Sequence, residues 1–570
     1  MYEQVLNPVG GSAFWSSVVA ALPLLAVFVL LGSGRLRAHW TALAGLAVAL
    51  VLATWVYGMP AGQAVSAALE GAAFGLFPIM WIVVNALWIY RMTVNSGHFD
   101  VLRRSFGRVS DDQRLQAVVI AFCFGALLEA LAGFGTPVAV TSVMLIAVGF
   151  TPLRAAVVAL VANTAPVAYG AIATPVITLS NVTGYSVRDL GATIGRQTPV
   201  LAVLVPLVLV FIVDGRRGLR ETWQPALLGG LVFGIAQFAC ASYGPVELTD
   251  IVAALASAAV LVGWTRLPHA RRARVAAADE PPATDGGGAD GDSDADADTD
   301  GDADADTDAG ATLTTVRATA PVTDAPAEVV RAYAPYAAII AVFSVAQIPA
   351  VKELLAKGVH AFAWPGLHVV NASGKPVSFS TYNVNWLPAG GTLLLLAGVI
   401  SAVVLGVRPG PAVRAYGANL RQLAPAIATV ACVLGLAYVM NLSGQTATIG
   451  HALASATVIL AVLSPVLGWI GTAITGSDTS SNALFGTLQV TAAKGAGLSP
   501  TLLAAANSSG GVLGKMVSPQ NLAIVAAAAH LHGQEGRIFR RVVGYSAGML
   551  AFLCLLVWLQ STAALSWMLP

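Results

Sequence analysis

Long apolar runs, separated by short polar segments, follow one another along almost the whole chain of 570 residues. About 20 apolar residues in a helix cross a bilayer, and several runs reach or approach that length. The apolar runs lie at residues 13–32, 40–57, 72–90, 115–131, 199–213, 224–241, 248–265, 335–349, 389–405, 423–440, 452–471 and 541–559. The pattern predicts an all-α polytopic membrane protein with about 12–14 transmembrane helices, counting broken ones.

One apolar stretch, Phe124 to Ser180, is interrupted three times by glycine and proline. The interruptions are Gly-Phe-Gly-Thr-Pro at 133–137, Asn-Thr-Ala-Pro at 163–166 and Ala-Thr-Pro at 173–175. Glycine and proline at membrane depth break the helical hydrogen bonds, and the freed backbone groups need partners. Broken or re-entrant helices of this kind are typical of the binding sites of secondary transporters.

A second copy of this pattern occurs later in the chain. Three correspondences share an offset of 344 positions: Asn163-Thr164 with Asn507-Ser508, Gly170 with Gly514, and Thr174-Pro175 with Ser518-Pro519. Upstream, Gly135-Thr136 corresponds to Gly476-Ser477. Because breakers and small polar residues recur together, the sequence predicts a structural repeat.

The arginines predict opposite orientations for the two copies. Basic clusters at Arg91–Arg114, Asp214–Arg220 and Arg266–Arg274 are placed inside by the positive-inside rule. The first broken region is then approached from outside and the second from the cytoplasm, which defines an inverted-topology repeat. We expect a first membrane half at 1–265, with two extra helices near 224–265, and a second half at 331–570.

Between the halves, residues 266–330 are expected to form a cytoplasmic, disordered linker. Thirteen of the 29 acidic residues lie between Asp279 and Asp308, in an Asp-rich segment without apolar content. The rest of the chain is basic, and in a protein that is 56% hydrophobic this indicates cytoplasmic loops, not nucleic-acid binding. The composition excludes an ordinary soluble protein and predicts a multi-pass protein of the cell membrane. The four cysteines show no metal or disulfide spacing, and no cofactor is expected.

The broken regions suit a small anion. Helix N-termini offer free amides and a positive dipole end, and neighbouring small polar side chains add hydrogen bonds. Close helix packing by small residues is the alternative explanation for each copy alone. The predicted substrate-binding residues are Gly135, Thr136, Asn163, Thr164, Ser477, Asn507, Ser508, Ser509 and Lys515.

Three charged residues, Glu129, Asp478 and Lys515, are predicted to lie inside the membrane. A charge at the bilayer centre costs roughly 2.5–3.5 kcal/mol on insertion scales, so such residues usually serve a function. Glu129 and Asp478 are predicted proton-coupling residues, and Lys515 is expected to meet the substrate carboxylate or one of these acids. A purely structural ion pair is the alternative.

Four long motifs resemble the L-lactate permease family of carboxylate transporters. They read EALAGFGTPVAV, NTAPVAYG, TGSDTSSNALFG and AANSSGGVLGKMVSPQN. The resemblance covers nearly the whole chain outside about 275–330, although Ala130 and Tyr169 replace residues more usual in the family. It implies inverted repeats and import of L-lactate, or of glycolate, together with a proton.

Other functions remain open from the residues alone. Sodium coupling suits the same carboxylates and neutral oxygens, and an anion channel would need no coupling ion. A membrane enzyme is disfavoured because no nucleophile–base or metal-ligand set emerges from the sequence. The oligomeric state is not indicated.

The linker interpretation is tested by deleting residues 285–308. Because this segment has no apolar side chain larger than alanine with which to build a core, lactate uptake by the deletion variant should match that of the full chain. Uptake of labelled lactate, normalised to the amount of protein in the membrane, measures this. Loss of transport by a variant that reaches the membrane would contradict the linker assignment.

Overall fold

The computed structural model describes residues 1–32, 36–107, 109–110, 112–133, 135–266, 324–370, 381–454, 457–531 and 533–570. The helices of the first half are α1 Ala13–Gly32, α2 Ala38–Trp55, α3 Ala61–Phe74, α4 Trp81–Asn95, α5 His98–Gly107, α6 Gln113–Ala117, α7 Gly125–Ala132, α8 Thr136–Ala147, α9 Pro152–Ala162, α10 Gly170–Thr183, α11 Val187–Ile194, α12 Thr198–Tyr243 and α13 Thr249–Arg266. Those of the second half are α14 Pro326–Ala346, α15 Pro349–Ala356, α16 Gly390–Val404, α17 Pro409–Ser443, α18 Gln445–Ala454, α19 Thr457–Thr475, α20 Asp478–Ala496, α21 Pro500–Gly514, α22 Pro519–Ala528 and α23 Glu535–Gln560.

Shorter elements complete the described chain. Residues 75–80 and 118–124 form π-helical turns, and 3₁₀ turns occupy Val167–Tyr169, Val246–Leu248, Lys515–Val517 and Ser566–Met568. The strands are β1 Tyr2–Glu3, β2 Val359–Ala363, β3 Val369–Val370 and β4 Thr381–Asn385. Strand β1 pairs in parallel with β3, and β2 pairs with β4 in antiparallel fashion.

The all-α, polytopic prediction is confirmed. Within the described ranges, nine helical segments are long and apolar enough to cross a membrane, and a bent pair of helices, Pro152–Ala162 with Val167–Thr183, makes a tenth candidate. Three shorter apolar helices lie at Thr136–Ala147, Gly390–Val404 and Ile459–Thr475. The predicted range of 12–14 is reached only when the bent pair and these shorter helices are counted.

Helix α12 contains two antiparallel segments. Its helical geometry breaks at Asp214 and Gly215 and again at Thr222. A side chain at Gly230 would meet the backbone of Val203, and one at Gly234 would meet the backbone of Pro199. Because the partner number falls as the glycine number rises, the two segments run in opposite directions. The basic segment near 214–220 is therefore a turn, as the separate spans 199–213 and 224–241 require.

The two broken regions have the same order of elements. In the first, α7 ends at a break before α8, and α9 ends at a break before α10; in the second, α19, α20, α21 and α22 repeat this order. The fourth helix of each repeat packs against the second helix of the other repeat. These pairs are α10 with α20, and α22 with α8. This is the pattern expected of a pseudo-two-fold repeat, and the orientation of the copies relative to the bilayer stays a prediction.

Contacts between loops agree with the predicted sides of the membrane. Arg114 forms ion pairs with Asp214 at 3.0 Å and with Glu221 at 2.6 Å, and both belong to segments expected inside. The pairing of β1 with β3 joins the N-terminus to the loop between α15 and α16, and the positive-inside rule predicts both to be outside.

The second half begins earlier than predicted. Helix α14 starts at Pro326, so residues 326–330 are helical and do not belong to a linker; proline at the first helical position favours this start. Arg104 of α5 holds Asp324 through two hydrogen bonds of 2.6 and 3.0 Å. Tyr333 of α14 contacts Ser105 and Phe106 of α5. The remainder of the predicted linker, residues 267–323, lies outside the described residues, and the division into halves stays a prediction.

Helices α19 and α21 approach each other so closely that only glycine fits at the contact. A Cβ atom on Gly510 would collide with the backbone of Pro465, and one on Gly514 would collide with that of Trp469. Small residues allow such backbone contact between membrane helices. The close-packing explanation therefore applies to these two glycines of the second repeat.

We expect Gly510→Ala to destabilise the protein by about 1–3 kcal/mol, because the added methyl group forces two backbones apart. Thermal unfolding of the purified protein in detergent measures the change. Gly544→Ala, in α23, is the matched control, because an added Cβ at that position meets no neighbouring atom within 4 Å. Equal stability of the two variants would contradict the packing described above.

Candidate functional site

An ion pair joins the two broken regions. The Nζ atom of Lys515, in the 3₁₀ turn after α21, lies 2.5 Å from Oε1 of Glu129 in α7. Both side chains are buried, with exposed fractions of 7% for Lys515 and 4% for Glu129. The other carboxylate oxygen, Oε2, accepts a hydrogen bond of 2.9 Å from Nδ2 of Asn163. Residues 386 positions apart thus form one charged centre.

The backbone of the first repeat encloses the Glu129 carboxylate. A Cβ on Gly170, at the start of α10, would lie 2.8 Å from Oε1 of Glu129, so this position has room only for glycine. The next three residues, Ala171, Ile172 and Ala173, have φ angles of 44°, 55° and 55°. Left-handed geometry costs about 1–2 kcal/mol for each non-glycine residue. This strained turn brings α10 against the carboxylate, and such strain often marks functional sites.

Asp478 lies at the equivalent break of the second repeat. It occupies the first turn of α20, and the Ser477 hydroxyl caps this helix by accepting from the Ser480 amide at 3.3 Å. Oδ2 of Asp478 accepts hydrogen bonds from Ser508 at 2.7 Å and Asn482 at 3.4 Å. Its Oδ1 atom has no hydrogen-bond partner among the described residues. That oxygen lies on the side of Gly511, close to the hydroxyl of Thr472.

These groups share a cavity between the two breaks. Its volume of about 40 Å³ gives room for about three water molecules. Charged and polar lining groups include Glu129, Lys515, Ser477, Asp478 and Thr479. Val83 of α4 and residues of both breaks, among them Gly170 and Gly476, complete the wall. The site therefore offers one cation, two carboxylates, hydroxyl groups and the N-terminal end of α20 around a small polar space.

Of the predicted site residues, Glu129, Ser477, Asp478 and Lys515 line this cavity. The others lie behind it with partners inside the protein. Asn163 donates to Glu129, Thr164 to the carbonyl of Val161 and Ser508 to Asp478. Asn507 donates to Asn482, and Ser509 donates to Gln197. Gly135 and Thr136 form the start of α8, away from the cavity wall. A direct substrate contact of these residues stays a prediction.

Several buried polar residues near the site escaped the sequence analysis. Asn482 connects Asp478, Ser508, Asn507 and the carbonyl of Pro175. Asp250 and Glu70 are buried carboxylates, each with one oxygen that lacks a hydrogen-bond partner among the described residues. The signal that could have identified Asp250 is the one used for Glu129, an acidic residue within a predicted apolar run, here 248–265. Glu70 lies just before the predicted run 72–90 and gave no such signal.

A second, wider cavity of about 750 Å³ lies beside the first. It is lined by the strand pair β2–β4, by residues 180–187 and by Tyr382, Tyr438 and Glu247. The two cavities adjoin through neighbouring residues, because Val83 and Pro175 line the small one while Ile82 and Ile177 line the large one. We call this wide cavity the vestibule; part of its wall is the strand pair in the loop between α15 and α16, which the positive-inside rule predicts to be outside.

Known proteins resemble this chain over its full length. The sequence profile described as L-lactate permease matches residues 16–563. The chain is 36% identical over 591 residues to an L-lactate permease of Bacillus subtilis (strain 168), with 100% of both chains covered. It is 37% identical over 557 residues to the glycolate permease GlcA of Escherichia coli (strain K12), covering 96% of this chain and 95% of that one.

A solved structure, that of the YdaH transporter of Alcanivorax borkumensis, is similar to this chain at a TM-score of 0.46. It shares 14% sequence identity, and the alignment covers 86% of each chain.

The ion pair predicts a specific result for stability. Lys515→Met should cost about 3–5 kcal/mol, because it leaves Glu129 buried without its cation. The double variant Glu129→Gln/Lys515→Met should recover most of this loss, since neither charge then remains. Thermal unfolding in detergent measures both, with Lys494→Met, an exposed lysine on α20, as the control. A double variant no more stable than Lys515→Met would contradict the pairing.

Proposed function

Because this chain belongs to the L-lactate permease family, we propose that it is a secondary active transporter that imports L-lactate or glycolate by symport with a proton. Its apolar helices and its family make it a multi-pass protein of the cell membrane. The proposed substrates are small 2-hydroxy monocarboxylates, which carry one negative charge and one hydroxyl group.

The observation that carries the proposal is the contact between Lys515 and Glu129 at a cavity formed by both repeats. A lysine that is already paired with a carboxylate cannot offer its full charge to a second one. Protonation of Glu129 removes that competition, and a substrate carboxylate can then take its place at Nζ. Proton binding and substrate binding thereby favour each other, which is the thermodynamic requirement for symport.

The surrounding groups suit the rest of the substrate. The Ser477 hydroxyl uses its oxygen to cap α20, so its hydrogen remains free to donate. Thr479 also lines the cavity, and the N-terminal end of α20 favours negative charge. We assign Ser477 and Thr479 to the 2-hydroxyl and carboxylate oxygens of the substrate. Asn163 orients Glu129, since it holds the oxygen that does not face Lys515.

The position of the pair also suits alternating access. Glu129 belongs to the first repeat and Lys515 to the second, so a movement of one repeat against the other changes their separation. The small cavity gives little room beyond a few water molecules, and binding of lactate requires the pair to open. Substrate from the vestibule would reach this cavity past Val83 and Pro175, which line the wall between the two spaces.

Sodium symport is the second candidate, and one observation favours it. Asp478 Oδ1 and Thr472 Oγ1 are buried oxygens without a hydrogen-bond partner among the described residues. Both lie beside Gly511, where an added Cβ would meet each of them. Carboxylate and neutral oxygens at broken helices can hold a coupling ion. A sodium ion at this place would be coupled through Asp478 instead of Glu129.

The test is uptake of labelled L-lactate and glycolate by proteoliposomes under an imposed proton gradient or an imposed sodium gradient. We expect accumulation with the proton gradient alone. Glu129→Gln should abolish this accumulation while exchange of internal for external lactate persists, because the variant keeps a neutral group beside Lys515. Glu353→Gln, which removes an exposed carboxylate on α15, serves as the control for loss of a negative charge.

Each other outcome has a definite meaning. If only a sodium gradient drives accumulation, and Asp478→Asn abolishes it, the protein is a sodium symporter and the proposal of proton coupling is wrong. Intact proton-driven accumulation in Glu129→Gln would remove Glu129 as the proton carrier. Uptake that equilibrates lactate without ever concentrating it would indicate a channel.

A further inference from the structure

A third carboxylate, Asp250, lies buried behind the charged centre. It belongs to the first turn of α13 and is 1% exposed. Gln237 donates from Nε2 to Oδ1 of Asp250 at 3.4 Å and to the carbonyl of Ala165 at 3.1 Å. Oδ2 of Asp250 has no hydrogen-bond partner among the described residues. Burial of a carboxylate without a cation costs free energy, so packing alone does not explain the position of Asp250.

Gln237 connects Asp250 to the break that holds Glu129. Ala165 belongs to the same turn as Asn163, and Asn163 donates to the Glu129 carboxylate. Helix α13 also packs directly against α7, which carries Glu129. The charges of Glu129 and Lys515 both act on Asp250. The charge of one lysine, Lys515, therefore acts on three carboxyl groups, those of Glu129, Asp478 and Asp250.

The turn that precedes Asp250 reaches the wide cavity. Glu247, three residues earlier in the 3₁₀ turn before α13, lines the wide cavity. An acidic side chain at the wall of a water-filled space attracts protons and repels lactate anions. Val83 and Pro175, at the wall between the cavities, belong to other elements than Glu247.

Among the described residues, three further titratable or charged groups lie around Asp250. They are Cys240 of α12, Tyr169 of the first repeat and, beyond Tyr169, Arg196. Tyr169 donates to the carbonyl of Gly191, and Arg196 donates to the carbonyl of Ala192, so neither forms an ion pair with Asp250. Lys515 is engaged by Glu129. None of these groups therefore forms an ion pair with Asp250.

We propose that Asp250 is a second proton-binding carboxyl group, which receives protons from the vestibule through Glu247 and passes them to Glu129. This inference rests on the proposed proton symport. In the transfer, the O–H bond of Asp250 breaks and an O–H bond forms on Glu129, through water between them, with no other reactant. Asp250 is then left charged until the vestibule supplies the next proton, and Lys515 is free for the substrate.

The test compares Asp250→Asn with the unaltered chain in proteoliposomes. Asparagine keeps an oxygen for Gln237 but cannot carry a proton. We expect loss of lactate accumulation driven by a pH gradient and loss of lactate-coupled proton uptake, followed with a pH-sensitive dye inside the vesicles. Exchange of labelled for unlabelled lactate, which needs no net proton movement, should remain and shows that the variant is folded. Asp250→Glu should restore coupling.

Glu70→Gln is the matched control, because Glu70 is a buried carboxylate that lies on α3, outside this group. It should keep pH-driven accumulation. Full proton coupling in Asp250→Asn would overturn the inference while leaving the proposed symport intact. Absence of pH-driven accumulation in the unaltered chain would instead defeat the proposed function. Equal loss of exchange and accumulation, not restored in Asp250→Glu, would show a structural role and also overturn the inference.

Discussion

The contact between Lys515 and Glu129 is the interaction on which the centre of this protein depends. Each residue alone would be a costly charge inside a membrane protein, and together they make a centre that can exist there. The pair requires that two helix breaks, far apart in the chain, face each other. It also requires Gly170, because any side chain there would occupy the space of the carboxylate. Sequence features that look unrelated therefore serve one contact.

The two carboxylates at the cavity, Glu129 and Asp478, have different partners. Glu129 has a cation and an amide, whereas Asp478 has a hydroxyl and an amide and keeps one oxygen unpaired. The two repeats are thus alike in backbone but different in charge, since the lysine of the second has no counterpart in the first. This difference places the cation of the small cavity on the second repeat.

The sequence predicted the chemistry of the centre better than its contacts. Charges within apolar runs identified Glu129, Asp478 and Lys515, and the glycine and proline pattern placed the breaks. Helix rotation and the partner across the interface decide which small polar residues face the cavity. The sequence alone therefore did not show that Ser477 lines the cavity while Asn163 and Asn507 lie behind it. Asp250 was missed because it stands beside Glu247 and Thr249 at a helix start, where acidic residues are common.

The attachment of α14 to α5 has a consequence for how the chain is put together. Arg104 and Asp324 form an ion pair, Tyr333 contacts α5, and helices α2 and α3 of the first half pack against α17 of the second. The two halves are therefore interlocked by contacts that do not involve residues 267–323. A gene divided within that segment should yield two polypeptides that associate in the membrane through these contacts, without the covalent connection.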